Sequence, residues 1–194
     1  MSDLIHPGAG LLFMKVGTHA QETLESIIAR KCAEIDKEGY TLWGYGGNTC
    51  HPSTMVQPFA EKFAAQDRPI HLVMEEMESN HFAEPLCAAE FSADNLNWGE
   101  IPPGIEVRGS RFALKIGNLR EVDDELALDA TRVAVGPNLG RLGSRYVKGR
   151  VDKACLEVLD GPEKVNEEDG AAIRPINLVA DLIAPYAVFL RNFR

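Results

Sequence analysis

Residues 11–47 read LLFMKVGTHAQETLESIIARKCAEIDKEGYTLWGYGG, and the fold turns on this stretch. Leu11 to Val16 is a short apolar run closed by Gly17, which is the pattern of a buried strand. Thr18 and Gln21 have the spacing of a capping box, which satisfies free amides at a helix start. Leu24, Ile27, Ile28, Lys31 and Ile35 then recur on one face at helical period, and Gly39 supplies the stop. Tyr40 to Gly47 reads as a second strand running into a glycine-rich turn.

Working outward, Ser53 to Gln66 reads as a second helix with Val56, Phe59 and Phe63 inward. Pro58 fits there only in the first turn, where its missing N–H costs little. Pro69 to Met77 is a third strand. A β-α-β-α-β order predicts parallel neighbouring strands joined by right-handed crossovers, with three strand ends on one edge. After about residue 84 the pattern changes. Glu84 to Ser92 reads as a strand and Asn95 to Pro103 as a loop. Ile105/Val107 and Phe112/Leu114/Ile116 alternate on either side of Gly109-Ser110, a hairpin signal. Leu126 to Val135 fits strand alternation, and Tyr146 to Leu159 contains a strand with a bend at Gly149. Residues 160–172 form an exposed acidic loop. Ile176 to Leu190 is an apolar run interrupted by Asn177, Asp181 and Pro185, read as a buried C-terminal helix broken at Pro185. The expected class is α+β, a parallel βαβαβ start continuing into an antiparallel meander or partial barrel. The alternative is a doubly wound α/β sheet. Residues 1–194 are read as a single domain.

The 20 basic and 29 acidic residues give a net charge of −9, which argues against broad binding to nucleic acid or to anionic membrane. The longest apolar run is short for a membrane span. Cys32, Cys50, Cys87 and Cys155 are scattered without pair spacing, and the first residues lack a secretory signal's basic and apolar regions. A cytoplasmic setting with reduced thiols is the expectation. A homo-oligomer contact through the C-terminal helix is a lesser expectation.

In sheets built from βα units, ligands bind beyond the carboxyl ends of the strands. Three segments are expected to meet there: Thr18 and His19, then Trp43 to His51, then Glu75 and Glu76. Gly44, Gly46 and Gly47 would let backbone amides approach an anion, followed by Asn48, Thr49, Cys50 and His51 before a helix. Trp43 and Tyr45 offer rings for stacking. Cys50 is a candidate nucleophile, and His51 and His19 are candidate acids or bases. Glu75 and Glu76 suit a ribose hydroxyl or a divalent ion. Neither GxxxxGK[ST] nor GxGxxG is present. His19, Cys50, His51 and His81 lack diagnostic metal spacing, so no metal is assigned, and no cofactor is named. A second glycine-rich segment, Gly136 to Gly143, leads into a stretch with five basic residues between Arg141 and Lys153. Arg141 and Arg145 are the phosphate-binding candidates there.

Two functions follow. The first is binding of a nucleotide or other phosphorylated small molecule, as a hydrolase or group transferase. The alternative is a non-enzymatic module that senses a ligand or binds a protein partner. Recognition of single-stranded nucleic acid is weaker, since it would depend on one local basic patch.

Overall fold

The first apolar run forms β1 (Gly10–Val16), a strand buried on both faces, as a continuous apolar stretch requires. The structure, a computed structural model, describes residues 5–47, 49–79, 83–162 and 173–194. After β1 come α1 (Leu24–Glu38), β2 (Thr41–Tyr45) and a π-helical turn (Pro52–Val56) that runs into α2 (Gln57–Ala64). Then follow β3 (Ile70–Glu76), β4 (Glu90–Ser92), β5 (Gly99–Glu100) and the long β6 (Phe112–Ala127). A 3-10 turn (Leu128–Ala130), β7 (Thr131–Val133), α3 (Gly143–Tyr146), β8 (Lys153–Val158) and β9 (Ile173–Arg191) complete the order. No helix among the described residues is long and apolar enough to cross a membrane.

The strand order is β2-β6-β9-β3-β1-β8-β7, with β4 attached to β9 and β5 to β4. Among the described residues only β1 and β3 pair in parallel, Gly10 opposite Ile70 through Val16 opposite Glu76. Every other pairing is antiparallel. The class is α+β, with one mostly antiparallel sheet and few helices. From β3 the chain direction reverses at β9, β6 and β2, so β2 runs against β1 and β3. The three adjacent parallel strands expected from the opening do not occur, because β9 and β6 come between β3 and β2. Period and helix length report that β1, β2 and β3 are strands, but they do not report which distant strand inserts between them.

The β6–β9 pairing shifts register between Leu114 and Ile116, Gly117 and Arg120, and Glu121 and Asp124. Such bulges bend a strand and increase its twist. Phe112 to Leu114 pair with the Ala187–Phe189 end of β9, whereas Arg120 to Ala127 pair with its Ile173–Val179 end. The sheet curls about this bent pair. In a flat sheet β2 and β1, four places apart, would stand roughly 19 Å from each other at about 4.8 Å per strand. Instead they share one core cluster and one cleft. That cluster holds Leu12, Met14 and Val16 of β1, Trp43 and Tyr45 of β2, and Phe59 and Phe63 of α2. The opposite face carries Leu11 and Phe13 with Leu156 and Val179. A third cluster, Leu42, Ala113 and Val188, is covered by Ile101, Ile105 and Val107.

Four local expectations are corrected. The helix start is capped by Thr23, whose Oγ1 accepts the Ser26 N–H at 3.3 Å, and not by Thr18 with Gln21. Residues 18–22 form a turn in which His19 and Glu22 exchange backbone hydrogen bonds. The C-terminal segment is strand β9 rather than a helix, which also removes the helical oligomer contact. A central strand buried on both faces reads as a continuous apolar run, the same pattern as a buried helix. The hairpin at Gly109-Ser110 is absent: Ile105 and Val107 are buried because their segment lies over the sheet, and β6 pairs with β2 and β9. Glu84 to Ser92 contributes only the short strand Glu90–Ser92. Pro58 lies in the first turn of α2, and Gly39 ends α1 in the left-handed region at φ 79°. Residues 163–172 of the expected acidic loop lie outside the described residues.

Candidate functional site

Between the end of β1, the edge of β2 and the 106–111 segment lies a cleft of about 460 Å³. Its apolar wall is Met14, Val16, Ile27 and Trp43. Thr18, His19 and the Gly44–Gly47 backbone line it, as do Arg108, Ser110, Arg111 and Lys153. Strand alternation decides which side chains reach it. On β8, Lys153 shares the face of Cys155, which belongs to the same cluster as Met14 and Trp43. On β3, Glu75 shares the face of Val73, on the other side of the sheet. There it faces Arg174 at 3.6 Å and takes no part in the cleft.

The cleft's back wall is fixed by a buried polar network on α1. Arg30 grips Glu22 with two hydrogen bonds, 3.0 Å from Nε and 2.6 Å from Nη2. Its Nη1 donates to Glu34 Oε1 and to the Glu106 carbonyl. Lys31, 3% exposed, donates to Glu34 at 2.9 Å, to Thr41 at 3.2 Å and to the Glu106 carbonyl at 2.6 Å. Glu34 also accepts the Thr41 hydroxyl and the Glu106 N–H. This network ties α1 to β2 and to the segment that carries Arg108 and Ser110. Burial pulls the Lys31 ammonium down to about 8, and Glu34 only partly restores it. The hydrogen bond from Arg30 holds Glu22 below the ordinary carboxylate range.

The front of the cleft is more open. Lys153 donates to Asp152 at 2.6 Å, and Asp152 also accepts from Thr49 at 3.2 Å. A Cβ on Gly47 would lie 3.8 Å from the Lys153 nitrogen, so the glycine turn faces that ammonium. Gly47 itself has φ +85°, a conformation that favours glycine. Arg108 pairs with Glu106 at 2.5 Å. Arg111 is exposed and has no ion-pair partner among the described residues. Deeper in, the Ser110 hydroxyl sits 3.2 Å from His19 Nε2 and 3.1 Å from the Arg108 carbonyl. A Cβ on Gly44 would collide with that hydroxyl, so the glycine makes the room it occupies.

Thr18, His19, Trp43, Gly44, Tyr45, Gly46 and Gly47 are therefore brought together at the cleft. Cys50 and His51 do not line it. Cys50 has φ 56°, and this left-handed step turns the chain back into the core. Its sulfur lies buried 3.9 Å from that of Cys155, and the hydrogen bond between them, with burial, pushes the Cys155 thiol well up. His51 packs edge-on against Phe112 and Phe189, each at 5.5 Å, with Nδ1 buried and without a hydrogen-bond partner among the described residues. Tyr45 donates to the Cys50 carbonyl at 2.8 Å, and burial holds its phenol far above the usual range. Thr49 stands behind the front wall through its bond to Asp152. Arg141 and Arg145 are exposed and line no part of the cleft. Asn48 and His81 lie outside the described residues.

Sequence reasoning missed Arg30, Lys31, Arg108, Ser110, Arg111 and Lys153. One signal was available: Lys31 falls on the apolar face of α1, where a charge must find partners. The Arg108-Gly109-Ser110-Arg111 run carried another, hidden by its reading as a hairpin turn. Comparisons with family models, curated proteins and solved structures yield no match for this chain.

Proposed function

We propose that the cleft binds a phosphorylated small molecule, with a nucleotide as the form best suited to its apolar wall. The observation that carries this reading is that Arg108, Arg111 and Lys153 line one cleft with the Gly46–Gly47 turn, Lys153 beside Gly47, in a chain of net charge −9. Arg111 carries charge without an ion-pair partner among the described residues. The other two have partners that a ligand can replace. Asp152 is 48% exposed and Glu106 45% exposed, so each retains hydration when its cation turns to a phosphate. The exposed Arg108–Glu106 pair contributes at most about 1 kcal/mol. A hydrogen bond to a charged group contributes about 1.5–3 kcal/mol. The exchange favours the phosphate at Arg108, while Lys153, 6% exposed, needs the phosphate to replace Asp152 in full. Met14, Val16 and Trp43 then offer an apolar surface to the rest of the ligand.

Hydrolysis or group transfer is the reaction class this site would serve, with His19 as its acid or base. A non-enzymatic sensing role is the second reading, favoured by the position of Cys50 and His51 outside the cleft. A thermal-shift series with ATP, AMP, glucose 6-phosphate, inorganic phosphate and the matching nucleosides tests the binding. A phosphorylated ligand at a hundred times its Kd raises stability by about 2.7 kcal/mol. The nucleosides produce far smaller shifts. A flat response to every phosphate contradicts the proposal.

A further inference from the structure

Cys50 and Cys155 come from positions 105 residues apart in the chain, and their sulfurs meet at 3.9 Å. We propose that this pair is a modification site: a peroxide joins the two thiols in a reversible disulfide, and the disulfide weakens phosphate binding at the cleft. The regulatory half rests on the phosphate-binding reading above, and the disulfide itself does not.

The pair spans the two segments that make the front of the cleft. Cys50 follows the turn at Gly46 and Gly47, and Cys155 lies on β8 on the face that carries Lys153. Three connections run between these segments. Gly47 faces the Lys153 nitrogen, where a Cβ would lie 3.8 Å away. Thr49 donates to Asp152 at 3.2 Å. Cys50 touches Cys155, one step deeper. Both cysteines are free thiols. Left-handed backbone is uncommon for a residue with a side chain, and at Cys50 it turns the sulfur inward onto Cys155. An S–S bond is about 2.05 Å long, so the sulfurs close roughly half of their separation. That movement draws the glycine turn onto β8. The gap between the turn and the Lys153 ammonium is narrow already, and a phosphate that bridges them loses its place.

The chemistry balances with hydrogen peroxide as the oxidant. Cys50 reacts first, because it follows a turn whose Gly47 is exposed. Cys155 lies within a strand, and its hydrogen bond with Cys50, with burial, pushes its thiol up. The Cys50 sulfur attacks one peroxide oxygen. The S–O bond forms, the O–O bond breaks, and the departing oxygen leaves as water with the thiol proton. The Cys155 sulfur then attacks the Cys50 sulfenic acid. The S–S bond forms, the S–O bond breaks, and a second water leaves with the Cys155 proton. The two thiols lose two electrons and two protons, and the peroxide becomes two waters. A dithiol reverses the step by exchange through a mixed disulfide and is itself oxidised.

The test compares the full chain reduced by dithiothreitol with the chain treated with hydrogen peroxide. Intact mass and peptide mapping after thiol alkylation identify the product. ATP titration and the melting temperature of each form read binding and fold. The expected oxidised chain loses the mass of two hydrogens and yields a linked peptide pair holding Cys50 and Cys155. It melts higher than the reduced chain, because the link closes a loop of more than a hundred residues. It binds ATP at least about tenfold more weakly, the loss of one charge-assisted contact. Dithiothreitol restores both values. Cys50→Ala forms no such link and keeps its ATP affinity in peroxide. The two wild-type forms carry the test alone should Cys50→Ala fail to fold. The proposal is overturned by peroxide treatment that oxidises Cys32 or Cys87 and leaves Cys50 and Cys155 unlinked, or by a linked chain that binds ATP as the reduced chain does. A wild type that binds ATP in neither form overturns the phosphate-binding reading and the regulatory half with it, and the mass alone then decides the disulfide.

Discussion

Replacing Glu34 with leucine removes the acceptor at the centre of the buried network and has a calculable cost. Glu34, 5% exposed, accepts from Arg30, Lys31, the Thr41 hydroxyl and the Glu106 N–H. Without it, Arg30 keeps Glu22, but Lys31 becomes a buried ammonium with no counter-charge in contact. Breaking one side of a buried pair costs about 3–5 kcal/mol. The expected loss for Glu34→Leu at pH 7 lies in that range, read from urea unfolding midpoints and slopes. The pH dependence supplies a second signature. In the native protein Lys31 already titrates at about 8 against an ordinary value of 10.5, because burial opposes its charge. Removing Glu34 lowers that value further. Between the native and unfolded values the unfolded chain binds more protons, so stability rises with pH across that window. Glu34→Leu therefore recovers part of its loss between pH 7 and pH 9. The double variant Glu34→Leu with Lys31→Met recovers most of it at pH 7. A loss below about 1 kcal/mol, well short of the buried-pair range, or no recovery at either step, refutes the reasoning.

Two further outcomes follow. Gly44→Ala places a methyl group against the Ser110 hydroxyl. It costs about 1–3 kcal/mol in stability and weakens phosphate binding, and an unaltered melting temperature with unaltered affinity contradicts the packing described. His71, beside Asp181 at 3.2 Å, has its pKa lowered by burial despite that carboxylate. The unfolded chain takes up this proton at the ordinary value of 6.5 and the native protein only at lower pH. Stability therefore falls as pH drops below that value. The fall is smaller in His71→Asn, and urea midpoints across pH 7 to 5 measure the difference.

Much of this architecture is legible in the chain, and what is hidden has physical causes. The three strands and two helices from β1 to β3 announce themselves because each carries one clear period, whereas the π-helical turn before α2 does not. The Trp43–Gly47 stretch marks the cleft because three glycines beside two aromatics cannot pack as an ordinary strand end. Strand order is hidden because β9 inserts between β3 and β6 from more than a hundred residues away. β9 itself is disguised, since burial on both faces erases the alternation that identifies a strand. Cys50 and His51 look chemical by position, but the left-handed backbone at Cys50 carries its thiol into the core and leaves His51 packed half-buried against Phe112 and Phe189. Arg108, Ser110 and Arg111 reach the cleft through tertiary connections, the Glu106 backbone bonded to α1 and the Val107 and Gly109 backbone bonded to residues 86–88, which no local pattern contains.

The most direct test of the account is an isothermal titration of ATP into the wild type, Lys153→Ala and Arg141→Ala. Lys153 lines the cleft against the glycine turn, and Arg141 lies outside it. Losing one charge-assisted contact of about 1.5–3 kcal/mol weakens binding roughly 10- to 150-fold in Lys153→Ala, while Arg141→Ala binds like the wild type. Equal binding by Lys153→Ala and the wild type, or a loss confined to Arg141→Ala, contradicts the assignment of the cleft as the phosphate site.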